Sequence, residues 1–257
     1  MKIQTFSDVR LIAVDLDGTL LTRDKDISPR TMEALEVCRE RGVMLAFATG
    51  RSETAARELL ERLEPDAAVL AYGAQVMLHG QTIHRRFMSK RVANAVLQGA
   101  AGAAKLRYQL KDNRRFYTEP VEGCSLLDPS QPVTQPMEHL AAWELPERQA
   151  RALAKSAGCA LTQVVGDHWC NFSARGTGKG AGMRRVMAAL GLEKGQAVAF
   201  GDESCDVEFF RACGVGVAMG NADDYTRAHA DYLTDDNNRD GIAAFLERYL
   251  LAQASGI

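Results

Sequence analysis

The sequence predicts an α/β fold: a doubly wound, mostly parallel, Rossmann-like core sheet with an inserted α+β cap domain. Three observations predict it. Short, continuously apolar runs alternate with amphipathic stretches, the pattern of a parallel sheet covered by helices on both faces. That rhythm stops after Gly80 and returns near Gly178. Between those points the texture changes to helices followed by pairs of strand-like segments.

The core elements follow in order. Residues 11–15 form an apolar run ending in a carboxylate, a buried strand. Ser28-Pro29 reads as an N-cap with proline at the first helical position, and Met32, Leu35 and Cys38 recur at helical spacing up to Gly42. A strand over 43–48 ends at Thr49-Gly50-Arg51, and Ser52 caps a helix reaching about residue 63. A third strand spans 67–71. After the interruption come a helix over 180–190, a strand over 197–200, a helix over 205–213 and a strand over 215–218. Ile242, Phe245, Leu246 and Tyr249 mark a last amphipathic helix.

In the interruption, a helix over 89–104 precedes strands at 107–110 and 116–119. A proline-containing passage, 128–136, leads to a helix over 146–157 and strands at 160–165 and 168–172. This predicts two helix-strand-strand units in a small antiparallel sheet, with helices on one face. The expected domains are 1–83 with 175–257 and, inserted, 84–174; the two crossings between them are candidate hinges.

Composition narrows the function. Of 257 residues, 46% are hydrophobic and 25% charged, as in ordinary globular proteins. Lys plus Arg (31) nearly cancels Asp plus Glu (33), so no basic excess points to nucleic acid. No apolar run approaches the roughly 20 residues of a membrane span, and none resembles a signal segment, so a cytoplasmic protein is expected. Six cysteines without a C-x-x-C pair read as reduced thiols.

Chemistry concentrates at the strand ends. In Asp15-Leu16-Asp17-Gly18-Thr19, two carboxylates two residues apart close the first strand, where open parallel sheets bind their ligands, and alternation points both toward the crevice. A turn accounts for Asp17-Gly18 but not for a carboxylate ending a buried strand, which needs a cation or several donors. Thr49-Gly50 at a helix start suits a phosphate, though simple strand closure explains it as well. Lys179 stands between Gly178 and Gly180, where an anion can approach the backbone; an exposed loop lysine is the alternative. Gly201-Asp202 through Asp206 offers acids that complete a metal site with Asp15, or simply an acidic helix start. Gly176-x-Gly178-x-x-Ala181 also fits a dinucleotide fingerprint, which makes an NAD(P) oxidoreductase the rival with different chemistry.

Together these motifs, with Val217-Ala218-Met219-Gly220-Asn221-Ala222, resemble the haloacid dehalogenase-like superfamily, specifically its Cof-type phosphatases with a C2-type cap. The resemblance implies a phosphatase of small phosphorylated metabolites, possible sugar phosphates among them, with a phosphomutase or phosphotransferase as nearest rival. It implies that Asp15 attacks phosphorus, while Asp17 protonates the leaving oxygen and then activates water. It assigns Mg2+ to Asp15, the Asp17 carbonyl and Asp202, with Asp206 in support. Thr49, Lys179 and the N–H groups of Gly50 and Leu16 would bind phosphoryl oxygens. Cys205 stands where the family usually has asparagine at the phosphoryl group, implying weaker phosphate binding and an oxidation-sensitive site. Tyr72 likewise stands where asparagine is common.

Overall fold

The structure, a computed structural model, describes residues 8–163 and 169–252. The chain forms two compact units: Met1–Ile83 with Lys179–Ile257, and His84–Gly178.

The first unit begins β1 (Leu11–Val14), α1 (Pro29–Glu40), β2 (Met44–Ala48), α2 (Glu53–Leu63), β3 (Ala67–Leu70), β4 (Gln75–Leu78) and β5 (Gln81–Arg85), whose end enters the second unit. Ser28 and Ser52 accept the N–H groups of Thr31 and Ala55, so both serines cap their helices as expected. Between β4 and β5, His79 (φ 46°) and Gly80 (φ 74°) make a two-residue turn with both residues left-handed, the geometry that matches strand twist in hairpins. The sequence reading has no strand here; the hairpin extends the sheet edge beyond β3.

The second unit contains α3 (Lys90–Gly99), β6 (Lys105–Leu110), β7 (Arg115–Tyr117), β8 (Ser125–Leu126), β9 (Met137–Trp143), α4 (Glu147–Ala157), β10 (Ala160–Gln163) and β11 (Trp169–Ser173). The chain then returns to the first unit with α5 (Lys179–Leu190), β12 (Ala197–Gly201), α6 (Val207–Cys213), β13 (Gly214–Ala218), α7 (Asp224–His229), β14 (Tyr232–Leu233) and α8 (Gly241–Leu246), which continues as a π-helical turn, Glu247–Leu251.

In the first unit the sheet order is β14-β13-β12-β1-β2-β3-β4-β5, with parallel pairing from β14 to β3 and β4 antiparallel to β3. The doubly wound, mostly parallel core read from the sequence is therefore present. Chain order reverses between β12 and β1, which creates a switch-point crevice at the strands' C-terminal ends. Alternate residues feed two cores. Ile12, Val14, Leu45, Phe47, Val198 and Phe200 pack with residues of α1, α2 and α8. Leu11, Ala13, Ala46, Ala48 and Ala199 pack with residues of α5 and α6. The small side chains on the second face admit α5 closely: a Cβ on Gly182 would lie 2.3 Å from Val69 Cγ1. Each buried Leu, Val or Phe contributes about 1.5–3 kcal/mol, so these layers hold the strand ends in fixed register.

The second unit's sheet has the order β10-β11-β9-β6-β7-β8, antiparallel except between β7 and β8. Residues of α3 and α4 (Val96, Leu97, Ala150, Ala154) join Phe172, Leu140 and Tyr108 in one apolar cluster. The expected pair of helix-strand-strand units needs correction, because β9 is a further strand lying between β11 and β6. The unit also runs to Gly178, beyond residue 174. Thr177 bonds back to the Ala174 carbonyl through N (3.2 Å) and Oγ1 (2.7 Å), so the loop stays with β11. Residues 164, 165 and 168 of the expected strands lie outside the described residues.

Candidate active site

The crevice takes its residues from four chain positions. Asp15 directly follows β1, and its N–H bonds to the Phe200 carbonyl (3.0 Å), tying the ends of β1 and β12 together. Its carboxylate is 4% exposed. Lys179, at the start of α5 and equally buried, places Nζ 2.9 Å from Asp15 Oδ1 and 2.7 Å from Asp206 Oδ1. The other Asp206 oxygen accepts the N–H groups of Asp202 and Glu203, both at 3.1 Å. Asp206 thus has both oxygens engaged and fixes the lysine and the loop after β12. Asp202 Oδ1 accepts from Thr19 Oγ1 (2.7 Å), and Asn221 Nδ2 donates to Asp202 Oδ2 (3.3 Å) and to the Gly18 carbonyl (2.8 Å). Gly18, at φ 77°, is needed there: a Cβ would lie 2.1 Å from Asp202 Oδ2.

One carboxylate oxygen each from Asp15, Asp202 and Asp206 lies within 4.8 Å of the others. Burial first, then its neighbours Asp206 and Asp202, pushes the Asp15 carboxyl well above the usual range against the pull of Lys179. Burial and Asp206 push Asp202 up to about 7. Three acids face one ammonium, so the crevice carries excess negative charge in a poorly solvated place. Hard oxygen donors in that electrostatic state fit a divalent cation that prefers oxygen and keeps some of its water. Asp15 and Asp202 are the carboxylates with capacity for it, since Asp206 is committed to Lys179 and two N–H groups.

Asp17, expected to point with Asp15, is set apart from it by its partners. The strand ends at Val14, Leu16 is fully buried, and the chain turns at Gly18. The Asp17 carboxylate accepts a two-pronged bond from Arg51 (Nε and Nη2, both 2.7 Å) and another from Lys25 Nζ (2.8 Å). Against the cost of burial, these partners lower its pKa to about 2. The sequence reading assigns Arg51 no role; the signal for one is its place directly after Thr49-Gly50.

Thr49 is buried directly after β2, and its Oγ1 accepts the Arg51 N–H (3.1 Å). Gly50 lies against the Tyr72 phenol, with Oη 2.5 Å from where a Cβ would stand. Tyr72 is itself left-handed (φ 52°), between Ala71 (φ 46°) and Gly73 (φ 78°). Non-glycine residues there carry about 1–2 kcal/mol of strain, and such strain gathers at functional sites. The Cys205 thiol donates to Glu203 Oε2 (3.6 Å), and burial holds its pKa well above the ordinary thiol value despite Lys179. The dinucleotide fingerprint loses its setting, because the strand before Gly176 is β11 of the antiparallel sheet rather than a strand of the parallel one.

A profile described as haloacid dehalogenase-like hydrolase matches residues 12–137 and 153–246. Among curated proteins, the chain is 29% identical to pyridoxal phosphate phosphatase YbhA of Escherichia coli (strain K12), covering 94% of this chain and 99% of that one. It is 26% identical to 5-amino-6-(5-phospho-D-ribitylamino)uracil phosphatase YcsE of Bacillus subtilis (strain 168), covering 95% and 97%. Among solved structures, the subclass IIB sugar phosphatase BT4131 superposes with a TM-score of 0.82 at 20% identity, covering 94% and 99%, a likeness of fold.

Proposed function

The chain belongs to the haloacid dehalogenase-like hydrolases, and from that premise we propose that it is a Mg2+-dependent phosphatase of small phosphorylated metabolites, acting through a phosphorylated Asp15. The observation that carries this reading is the buried Asp15 carboxylate, 2.9 Å from Lys179 and clustered with Asp202 and Asp206 at the switch point. The relatives named above act on phosphate monoesters, which supports the same reaction class.

Asp15 attacks phosphorus and the ester oxygen leaves, forming an acyl phosphate that water then hydrolyses, two easier steps in place of one hard one. Asp15, Asp202 and the Asp17 carbonyl would hold Mg2+, which would supply charge neutralisation between carboxylate and phosphate. Lys179 does the same from the α5 side, and Asp206 holds its ammonium in place. Thr49 and the N–H groups of Gly50 and Leu16 receive phosphoryl oxygens, with Cys205 at their border. Asp17 gives a proton to the leaving oxygen and takes one from water. Its pairing with Arg51 keeps it ionised, the form that activates water, so proton donation requires its release from that fork. Six free cysteines suit a reducing compartment, and we place the enzyme in the cytoplasm. No helix among the described residues is long and apolar enough to cross a membrane.

Phosphate release from a panel of phosphate esters, with and without Mg2+, tests the reading. Activity should require the metal and fall below about one-thousandth in Asp15→Asn. Full activity in that variant defeats the mechanism.

A further inference from the structure

Directly after β3 the chain turns through Ala71, Tyr72 and Gly73, all three left-handed (φ 46°, 52° and 78°). Only the glycine adopts that conformation without a steric cost, so the fold must hold the other two. The holding bonds go to the loop after β2. The Ala71 N–H donates to the Arg51 carbonyl (2.8 Å) and the Tyr72 N–H to the Thr49 carbonyl (3.1 Å). The Thr49 N–H in turn donates to the Val69 carbonyl (2.9 Å). These backbone bonds lace the two strand ends together and fix Tyr72 relative to Thr49 and Gly50.

The tip of the tyrosine, rather than its root, lies over Gly50. A Cβ on Gly50 would stand 2.4 Å from Tyr72 Cζ and 2.5 Å from Oη, so only glycine leaves room for the phenol there. Helix α5, which begins with Lys179, packs against this turn and against the turn Ser204–Asp206. Burial, then the Cys205 thiol, raises the phenol's pKa well above its ordinary value; Lys179 pulls it down, while Glu203 and Asp15 add to the rise. The hydroxyl thus keeps its proton, and it shares the electrostatic surroundings of Lys179, Cys205 and Asp15.

A phosphoryl group spreads its charge over three peripheral oxygens, and a site that transfers it must aim donors at them. Cys205 adds little to that supply. A thiol is a weak donor, and this one is directed to Glu203 Oε2 (3.6 Å). A phenol O–H is a full-strength neutral donor, and that of Tyr72 stands against the Gly50 backbone. Phenylalanine would fill the same space over Gly50, so packing does not account for the hydroxyl. A ligand oxygen at the Gly50 N–H does.

We propose that Tyr72 is a further phosphoryl-binding residue, its O–H donating to the phosphoryl oxygen that the Gly50 N–H also contacts. The proposal rests on the phosphatase reading above and adds a donor to that site.

Tyr72→Phe, which removes the hydroxyl and keeps the ring, tests it by calorimetric titration with inorganic phosphate in the presence of Mg2+. The phosphate Kd should rise about tenfold or more, the loss expected of a hydrogen bond to a charged group. In parallel, kcat/KM for a hydrolysed ester should fall by at least the same factor, because the contact persists into the transition state. The Mg2+ Kd, titrated without phosphate, and the phosphate-free thermal midpoint should both match the wild type. An unchanged phosphate Kd in Tyr72→Phe overturns the proposal. So does a lowered phosphate-free midpoint with Mg2+ and phosphate affinities reduced alike, which marks the hydroxyl as a structural prop. If the wild-type enzyme releases phosphate from no ester, yet binds inorganic phosphate more tightly than Tyr72→Phe does, the phosphatase reading falls and the Tyr72 contact stands.

Discussion

At the residue scale, the difference between Asp15 and Asp17 is set by their surroundings. They lie two residues apart, yet one is buried among acids and raised while the other is clamped by cations and lowered to about 2. Opposed environments of this kind divide a pair of carboxylates between two roles. The convergence of Asp15, Asp202, Asp206 and Lys179 was legible because each stands at a strand end or helix start that the apolar pattern locates. The hold of Arg51 on Asp17 was not, since side-chain reach across a crevice leaves no periodic trace. For Asp17 the folded-state pKa lies below the unfolded one. Its stabilising contribution is therefore present above pH 3.8 and lost as pH falls through about 2. Exposure keeps that contribution small. Arg51→Met should move the Asp17 carboxyl titration upward from about 2 toward 3.8, read by carbon NMR of the side chain. An unmoved curve would show that Lys25 alone sets it.

At the element scale, the strands that the sequence revealed are those buried on both faces: β1, β2, β3, β12 and β13 are nearly unbroken apolar runs. Strand β9 escaped because it starts directly after Pro136 and carries Glu138 and His139 inside its apolar run. Those polar residues belong to a central strand whose second face is not an apolar core, so the pattern of a buried strand is broken there. The β4–β5 hairpin was missed for another reason: its turn, His79-Gly80, lacks the Asn-Gly or Asp-Gly pair that usually signals a left-handed two-residue loop. Gly80 is at φ 74° with nothing within 4 Å of where a Cβ would stand, so its replacement acts on backbone conformation alone. Gly80→Ala should cost about 1 kcal/mol, lowering the thermal midpoint of the first unit by about 2–4 °C. A loss several times larger would mean that the turn is held by contacts beyond its own backbone.

At the scale of the whole molecule, the two units have separate apolar clusters, and the carboxylate site lies in the first alone. Asp202 has a folded-state pKa raised from 3.8 to about 7, and Asp15 is raised as well. The sign for a raised acid is the reverse of that for Asp17. The contribution to stability is fully present below pH 3.8 and is lost as pH rises through about 7, because the folded crevice favours the protonated form. Without metal, the first unit should therefore gain less stability, or lose some, between about pH 5 and pH 8 from these groups. A divalent cation reverses this, since it needs the ionised carboxylates and binds more tightly as they lose their protons. Calorimetric melts at about pH 5.5 and pH 8 with and without Mg2+ should resolve an Mg2+-dependent transition whose increment is larger at the higher pH, about 2.7 kcal/mol when Mg2+ is a hundredfold above its Kd. Asp202→Asn should raise the metal-free midpoint at the higher pH, by removing a buried charge, and shrink the Mg2+ increment. A metal increment that is equal at both pH values, or that survives undiminished in Asp202→Asn, would place the cation away from this cluster and remove the physical basis for Asp15 as the phosphoryl acceptor.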